Sequence, residues 1–298
     1  MSKPSATQQR AVPYPYRAKS LWRGCRWAVN MGAWHGRWQQ GPNMVKDARN
    51  IEYGRFTGGV AGSMQSVQNG GRFVNSGGAN SALEYIDIQW QAIPQLGGFM
   101  WQDTGGLSLA CTMRFITALP AGNGRILTKR FGTNNTSHAG ALSYSVTAGN
   151  KFEFSYCNGV GGLQSVFSGL SPVAGVTYNI VGKHWGNNAL SRAEIWVNGK
   201  LEGVVAAPTT WPAYKKDPPL RYFNDSSSGD ATLNAESSFG GLWDRPITSA
   251  EIAALNVNPY VMWGPPLGPQ GLPHGAAGGG LIGCNCCPGW LPSFNGMG

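Results

Sequence analysis

The clearest pattern in the chain is an alternation of apolar and polar residues. It begins at Leu107 and continues to Phe115, where large apolar residues alternate with small or polar ones in LSLACTMRF. Successive side chains of a strand point to opposite faces of a sheet, so a period of two indicates one buried face and one solvated face. We therefore predict a half-buried strand over residues 107–115.

The same period recurs further along the chain, interrupted by turn signals. ALSYSV and KFEFSYC flank Thr147–Asn150, and AEIWV and KLEGVV flank Asn198–Gly199. Because Asn and Gly tolerate positive φ, each pair of runs predicts a β-hairpin. Further short strands are predicted for GRILTKR, LQSVF, TYNIVGKHW, PLRYFN and SSFGGLWD. Strands at this spacing predict an all-β fold, an antiparallel β-sandwich.

One short helix is predicted near the end of the alternating region. The run Thr248–Glu251 has the pattern of a capping box, in which the threonine caps the first turn and the glutamate reaches back to it. Ile252 and Leu255 supply an apolar stripe. The region before residue 105 is less regular, with short strands predicted only around Gly71–Val74 and Glu84–Ile88.

Composition and charge divide the chain into three parts. Only 12% of the residues are charged and 44 are glycine, which suits short strands joined by tight turns. The first 46 residues contain eight basic side chains and no acidic one, so most of the net charge of +9 lies there. We predict an extended basic arm over residues 1–20, a sandwich over 21–262 and a Gly/Pro-rich tail over 263–298.

The basic N-terminal region is a candidate docking element. Such a charge can neutralise nucleic-acid phosphates or lie across an acidic protein surface. Tryptophans between the charges need burial, which favours a protein partner over nucleic acid. The candidate docking residues are Arg10, Arg17, Lys19, Trp22, Arg23, Arg26 and Trp27.

The cysteines fall into two groups. Cys111 and Cys157 lie in strand-like runs, where we expect small buried side chains. Cys284, Cys286 and Cys287 cluster in the tail as CNCC, a spacing that does not match a zinc site. Our hypothesis is that these three residues form disulfide crosslinks to a neighbouring subunit once the chain is outside a cell.

Several of these blocks resemble the LamG-like family of concanavalin A-like lectin and glucanase sandwiches. LSLACTMRFITALPAGNGRILTKR is similar to the first core strands of that family, and VTYNIVGKHWGNNALSRAEIWVNGKLEG is the most specific block. FGGLWDRPITSAEIAALNVNP is similar to its closing strand and helix. The resemblance covers about residues 21–262. It implies a concanavalin A-like jelly roll and leaves the activity open, because this fold carries many functions.

The residues give no sign of catalysis. The glucanases of this family place E-x-D-x-E on one strand, and this motif is absent. Glu84 and Asp87 are three positions apart, so on a strand they face opposite sides. Glu153 and Glu194 stand alone on hairpin strands, where we expect them to face solvent. We therefore predict a chain that is not an enzyme and has no catalytic, metal or cofactor site, with His184 packed or on the surface.

The resemblance extends to the source of the chain. The closing NPYVMW is similar to what bacteriophage-encoded LamG proteins carry after the helix. The opening MSKPSATQQR lacks the apolar run of a secretory signal, and no later stretch is long enough to span a bilayer. These features imply a virion structural protein that is made in the host cytoplasm.

Our leading hypothesis is therefore a capsid decoration or cement protein. The expected partners are the major capsid protein or other virion proteins, with several copies or a homo-oligomer in the particle. The alternative is a carbohydrate-binding module of a tail fibre or collar appendage, with a glycan as its ligand. Membrane binding is not expected, and nucleic acid is disfavoured.

Overall fold

The structure is a computed structural model. It describes residues 20–30, 44–46, 53–57, 64–67, 70–75, 85–88, 106–130, 138–157, 163–185, 192–206, 220–222, 233–259 and 261–262. For residues 29–30, the ranges between 44 and 88, and residues 129–130, 138–139, 157, 220 and 222, the description is of the backbone alone.

Strands dominate the described part of the chain. Those of the first half are β1 (Cys25–Asn30), β2 (Met44–Lys46), β3 (Tyr53–Thr57), β4 (Met64–Val67), β5 (Gly70–Asn75), β6 (Tyr85–Ile88), β7 (Gly106–Phe115), β8 (Gly124–Arg130) and β9 (His138–Ser145). The others are β10 (Lys151–Cys157), β11 (Leu163–Phe167), β12 (Thr177–Trp185), β13 (Arg192–Val197), β14 (Lys200–Ala206), β15 (Leu220–Tyr222), β16 (Ala235–Ser237) and β17 (Phe239–Trp243). The helix α1 spans Ser249–Val257.

The strands form two antiparallel sheets. The nine-stranded sheet has the order β14-β13-β12-β7-β16-β5-β4, and β17 joins it beside β7 and pairs in turn with β1. The eight-stranded sheet has the order β11-β10-β9-β8-β15-β6-β3-β2. Their inner faces pack on each other, so the predicted antiparallel β-sandwich is confirmed.

The two hairpins predicted from turn residues are present. Gly149 and Asn150 adopt positive φ angles of 82° and 61° between β9 and β10. Asn198 and Gly199 adopt φ angles of 51° and 76° between β13 and β14, which suits a type I′ turn. The turn residues thus set the register of both strand pairs.

The inner core lies between the two sheets and is rich in aromatic residues. Phe115 and Tyr144 meet edge to face with ring centroids 5.0 Å apart, although they belong to different sheets. The sheets approach closely at Gly182, where an added Cβ would lie 2.8 Å from Leu142 and still closer to the Phe154 ring. Glycine is required there because any side chain would collide with the facing sheet.

The prediction that β7 is half-buried is wrong, because both of its faces are covered. Its outer-face residues Ser108, Ala110 and Thr112 are buried like the inner ones. A second apolar cluster lies over this outer face and includes Leu21, from the N-terminal segment, and Leu255 of α1. The small outer-face side chains of β7 leave room for this second cluster. Small and polar residues alternating with large apolar ones are also typical of a solvated face, and this is why the strand was predicted to be half-buried.

The predicted capping box of α1 is present. The Thr248 hydroxyl accepts from the Glu251 backbone N–H at 3.2 Å, and a Glu251 carboxylate oxygen accepts from the Thr248 backbone N–H at 2.8 Å. The same carboxylate accepts two hydrogen bonds from the Arg245 guanidinium, at 2.8 and 2.7 Å. Burial alone would raise the pKa of Glu251, but the bonds from Arg245 and Thr248 outweigh it and lower that pKa.

Candidate functional site

The structure corrects part of the predicted docking arm. Trp27 is only 2% exposed and belongs to the inner core, so it cannot contact a partner. Its strand β1 pairs with β17, more than two hundred positions later, and Arg26 forms an ion pair with Asp244 just after that strand. β1 was not predicted, because its pairing partner lies at the far end of the chain.

The remaining docking candidates differ in where they lie. Trp22 is partly buried and donates from Nε1 to the Met262 carbonyl at 2.8 Å, so it too belongs to the sandwich. The Arg23 side chain is exposed. Arg10, Arg17 and Lys19 lie outside the described residues, as do Cys284, Cys286 and Cys287 of the predicted crosslink.

The two ends of the sandwich meet at one place, which we call the terminal junction. It consists of Ser20–Gly24, Trp243–Arg245 and Val261–Met262. Trp243 Nε1 donates to the Leu21 carbonyl at 2.7 Å, and Arg245 donates to the Ser20 and Arg23 carbonyls, both at 2.7 Å. With the bond from Trp22 to Met262, these contacts bring the first and last residues of the sandwich together.

A buried ion pair lies on the outer face of the nine-stranded sheet, beside α1. Lys183 of β12 and Glu194 of β13 are 6% and 1% exposed, and Lys183 Nζ lies 3.2 Å from Glu194 Oε2. The expectation that Glu194 faces solvent is therefore wrong. The cause is tertiary: the partner strand supplies the cation, and the surrounding tryptophans exclude water.

Every oxygen of the Glu194 carboxylate is in use. Oε2 accepts from Trp196 Nε1 at 2.7 Å as well as from Lys183, and Oε1 lies 2.9 Å from Arg192. Lys183 also donates to the Ile247 carbonyl at 2.9 Å. This arrangement is that of a structural ion-pair network, in which each buried charge has a partner.

Two tryptophans surround this network and form a platform. Lys183 Nζ lies 5.1 Å from the centroid of the Trp185 ring and 5.3 Å from that of Trp196. Arg192 stacks on Trp185 at 4.6 Å, with about half of its side chain exposed. These distances allow cation–π attraction. The platform therefore presents two half-buried aromatic residues and the Arg192 guanidinium, some of whose N–H groups take part in none of the described contacts.

Opposite charges meet at the platform. Burial lowers the pKa of Lys183, and the neighbouring Glu194 carboxylate opposes that shift through its charge and hydrogen bond. Lys183 and Arg192 both lie next to the Glu194 carboxylate, and Glu251 acts on Lys183 as a further negative charge. A ligand at this surface would meet a positive guanidinium beside an indole, the combination that commonly anchors interfaces.

The outer face of the eight-stranded sheet carries small hydroxyl side chains. Ser143 and Ser155 are almost fully buried there, and Arg125 donates to the Ser143 hydroxyl at 2.9 Å. Glu153 is partly buried and accepts from the Ser165 hydroxyl, so it does not stand free in solvent as expected. Ser143 and Glu153 are thus hydrogen-bonded to neighbouring side chains on this face.

The other residues considered for chemistry are dispersed. His184 is fully buried and packs near the rings of Phe154 and Tyr156, at centroid distances of 5.9 and 5.5 Å. Asp87 lies in β6 opposite Arg221 of β15, while Glu84 lies outside the described residues. In the part of the chain that the structure describes, no three potential metal ligands lie together.

Two further findings concern the described residues. Cys25 and Cys111 are buried and not disulfide-bonded, which confirms the expectation for Cys111. Burial raises the pKa of the Cys111 thiol well above its usual range. Among the helices described here, none has the length and apolar character needed to cross a bilayer.

Comparison with known proteins identifies the fold. No protein-family model matches the chain, and no curated protein matches it. Among solved structures, it is similar to a Trypanosoma rangeli sialidase, with a TM-score of 0.53, 15% identity and 80% of this chain covered. The botulinum neurotoxin type G receptor binding domain gives a TM-score of 0.52, 12% identity and 78% coverage.

The chain spans only part of these proteins. It covers 33% of the sialidase and 51% of the type G domain, and also 51% of the receptor binding domain of a botulinum neurotoxin C/D mosaic, at a TM-score of 0.55 and 8% identity. At such identities the likeness shows a shared β-sandwich fold and nothing finer.

Proposed function

We propose that this chain is a binding protein without catalytic activity, and that it serves as a decoration or cement protein of a bacteriophage capsid. The terminal junction is the observation that carries the proposal. It ties the first and last described residues of the sandwich together by hydrogen bonds at 2.7 and 2.8 Å. The segments before Ser20 and after Met262 therefore begin at one spot on the sandwich.

Two attachment segments that start at the same spot act together. Once one segment is bound, the other is held close to the same partner, and the second contact becomes an intramolecular step with a high effective concentration. Residues 1–19 contain four basic side chains and no acidic one, so their charge complements an acidic shell. With both terminal segments bound to the shell, the body of the sandwich faces outward.

The structure sharpens the truncation that tests this proposal. Removing residues 1–46 would delete β1 and its core tryptophan, so loss of binding would report unfolding. Removal of residues 1–19, of residues 263–298, or of both spares every described contact of the sandwich. We expect each single truncation to lower the number of copies on purified phage particles and the double truncation to abolish binding.

The control is the free truncated protein, which should keep the thermal unfolding midpoint of the full chain. A doubly truncated protein that is folded and still decorates particles at the normal copy number would overturn the attachment role. Complete absence of the full chain from purified particles would overturn the virion assignment itself.

A second candidate is a carbohydrate-binding module of a tail fibre or collar appendage. The Trp185–Arg192 stack at 4.6 Å supports it, since an indole edge and a guanidinium can pack against a sugar and bind its anionic group. Two of the similar structures are receptor binding domains of botulinum neurotoxins. A glycan array would test this candidate: binding that is lost in Trp185→Ala supports it, and no binding to any glycan contradicts it.

A further inference from the structure

One arginine side chain connects the separate parts of the terminal junction. The guanidinium of Arg245 has five N–H groups, and each of them has an acceptor. Nε donates to the Arg23 carbonyl and Nη2 to the Ser20 carbonyl, both at 2.7 Å. The other three N–H groups donate to the two Glu251 carboxylate oxygens, at 2.8 and 2.7 Å, and to the Pro246 carbonyl at 3.3 Å. The donor capacity of Arg245 is therefore fully used at this one place.

The same contacts join the N-terminal segment to α1. Glu251 closes the capping box of α1 by accepting from the Thr248 backbone N–H, so one carboxylate serves both the helix and Arg245. The side chains of Arg245 and Glu251 are 21% and 8% exposed, which shields their ion pair from solvent. We call these two side chains the Arg245 clamp. A planar guanidinium can bind several acceptors in a fixed geometry, which a lysine ammonium cannot reproduce.

The other described hydrogen bonds that hold Ser20–Gly24 join neutral groups. Trp243 Nε1 donates to the Leu21 carbonyl at 2.7 Å, Trp22 Nε1 donates to the Met262 carbonyl at 2.8 Å, and the Asp244 backbone N–H donates to the Gly24 carbonyl at 2.8 Å. Hydrogen bonds with an ionised partner are roughly twice as strong as neutral ones. The Arg245 clamp therefore supplies the strongest polar contacts of this segment.

The strand that follows this segment is held separately. β1 pairs with β17 along its length, and Trp27 lies in the inner core. Release of Ser20–Gly24 would therefore leave the two sheets and their core in place. Local opening of this kind, at a lower free energy than global unfolding, is common in folded proteins.

We propose that Arg245 is the positioning residue of the terminal junction, and that it holds Ser20–Gly24 on the sandwich as a unit that opens locally when the clamp is broken. Its meaning for attachment rests on the proposed function, because the N-terminal segment leaves the sandwich at Ser20. The holding itself is a property of the free protein, and its test needs no particle.

The clamp depends on the charge of Glu251. Hydrogen bonds from Arg245, Thr248 and the Ser20 side chain lower the pKa of Glu251 against the opposing effect of burial. The clamp is therefore intact above the usual pKa of a glutamate and weakens as the pH falls through the lowered value. The other charged residues next to the clamp, by contact or along the chain, are Lys183, Arg23, Arg26 and Asp244.

Hydrogen exchange of the tryptophan indoles, followed by nuclear magnetic resonance on the full chain, tests the proposal. The Nε1–H groups of Trp22 and Trp243 are protected by bonds within the terminal junction. Trp196 Nε1–H is the internal control, since it donates to Glu194 away from the junction. In Arg245→Lys we expect exchange at Trp22 and Trp243 to rise about tenfold, the factor for one lost bond to a charged group, and exchange at Trp196 to stay unchanged.

Arg114→Lys is the matched control variant. Arg114 also donates from Nε to a backbone carbonyl, that of Gly175 at 3.0 Å, and from Nη1 to a carboxylate, that of Glu236 at 2.9 Å. These contacts lie outside the terminal junction, so this variant should leave exchange at Trp22 and Trp243 as it is in the wild-type protein. If Arg245→Lys does not fold, Glu251→Gln serves the same test, because it removes the charge that orients the guanidinium.

The pH profile separates positioning from a general loss of stability. After correction for the intrinsic exchange rate, exchange at Trp22 and Trp243 in the wild-type protein should rise between about pH 6 and pH 3, and Glu251→Gln should remove most of this rise. Unchanged exchange at both indoles in Arg245→Lys would overturn the proposal. An equal rise at Trp196 would also contradict it, because the opening would then be global. Absence of the full chain from phage particles would overturn the proposed function and leave these results standing.

Discussion

Trp27 offers the sharpest test of where the sandwich begins. Its side chain is 2% exposed in the inner core, while the neighbouring Arg23 is exposed on the same segment. Replacing a buried tryptophan by alanine removes its apolar contacts and leaves a cavity, at a typical cost of about 3–5 kcal/mol. Arg23→Ala removes an exposed side chain and should change the free energy of unfolding by less than about 0.5 kcal/mol.

Urea unfolding followed by backbone circular dichroism measures this difference in the free energy of unfolding. With a urea dependence of roughly 2–3 kcal/mol per molar, the expected loss lowers the midpoint of Trp27→Ala by about 1–2.5 M. Arg23→Ala should unfold with the wild-type protein. If Trp27→Ala is instead as stable as Arg23→Ala, the side chain does not lie in the core, and Trp27 would again be available to contact a partner.

Three further predictions concern the core, acid stability and the thiols. Gly182→Ala should lower the free energy of unfolding by about 1–3 kcal/mol through overpacking against Phe154, and Phe154→Leu should recover part of the loss, as measured in a double-mutant cycle. Because the pKa of Glu251 is lowered in the folded protein, this carboxylate contributes stability that is present above its usual pKa of 4.5 and is lost as the pH falls through the lowered value. Glu251→Gln should therefore reduce the difference in the free energy of unfolding between about pH 6 and pH 3, as measured by urea unfolding. An unchanged difference would show that other groups are responsible. Cys25 and Cys111 should resist alkylation in the folded protein, as read by mass spectrometry, and rapid labelling of either would contradict its burial.

The sequence was informative wherever a feature depends on neighbouring residues. The Asn198–Gly199 turn and the capping box at Thr248–Glu251 are local, and both are present with the expected geometry. The span of β12, from Thr177 to Trp185, follows from the period of its side chains. Local chemistry therefore predicted the sandwich, its hairpins and its helix.

Features that depend on distant parts of the chain were not predictable in this way. The sequence alone indicates a basic docking region at β1 and no strand, because its partner β17 and the ion-pair partner of Arg26 lie near residue 240. The sequence alone indicates an exposed Glu194 because its buried partner Lys183 is recognisable only once β12 and β13 are paired.

The structure also separates the residues that stabilise the sandwich from those that are proposed to attach it. Trp22 and Trp27 stabilise the sandwich, so the proposed attachment to a particle is assigned to residues before Ser20 and after Met262. The body of the sandwich then has a surface of its own, the platform formed around Trp185 and Arg192.

The most direct test of the central claim is a density map of purified particles. The account predicts sandwich-shaped density on the capsid surface, with the terminal junction of each copy turned toward the shell and the body facing outward. Particles that lack this density, or copies whose terminal junction faces away from the shell, would contradict it.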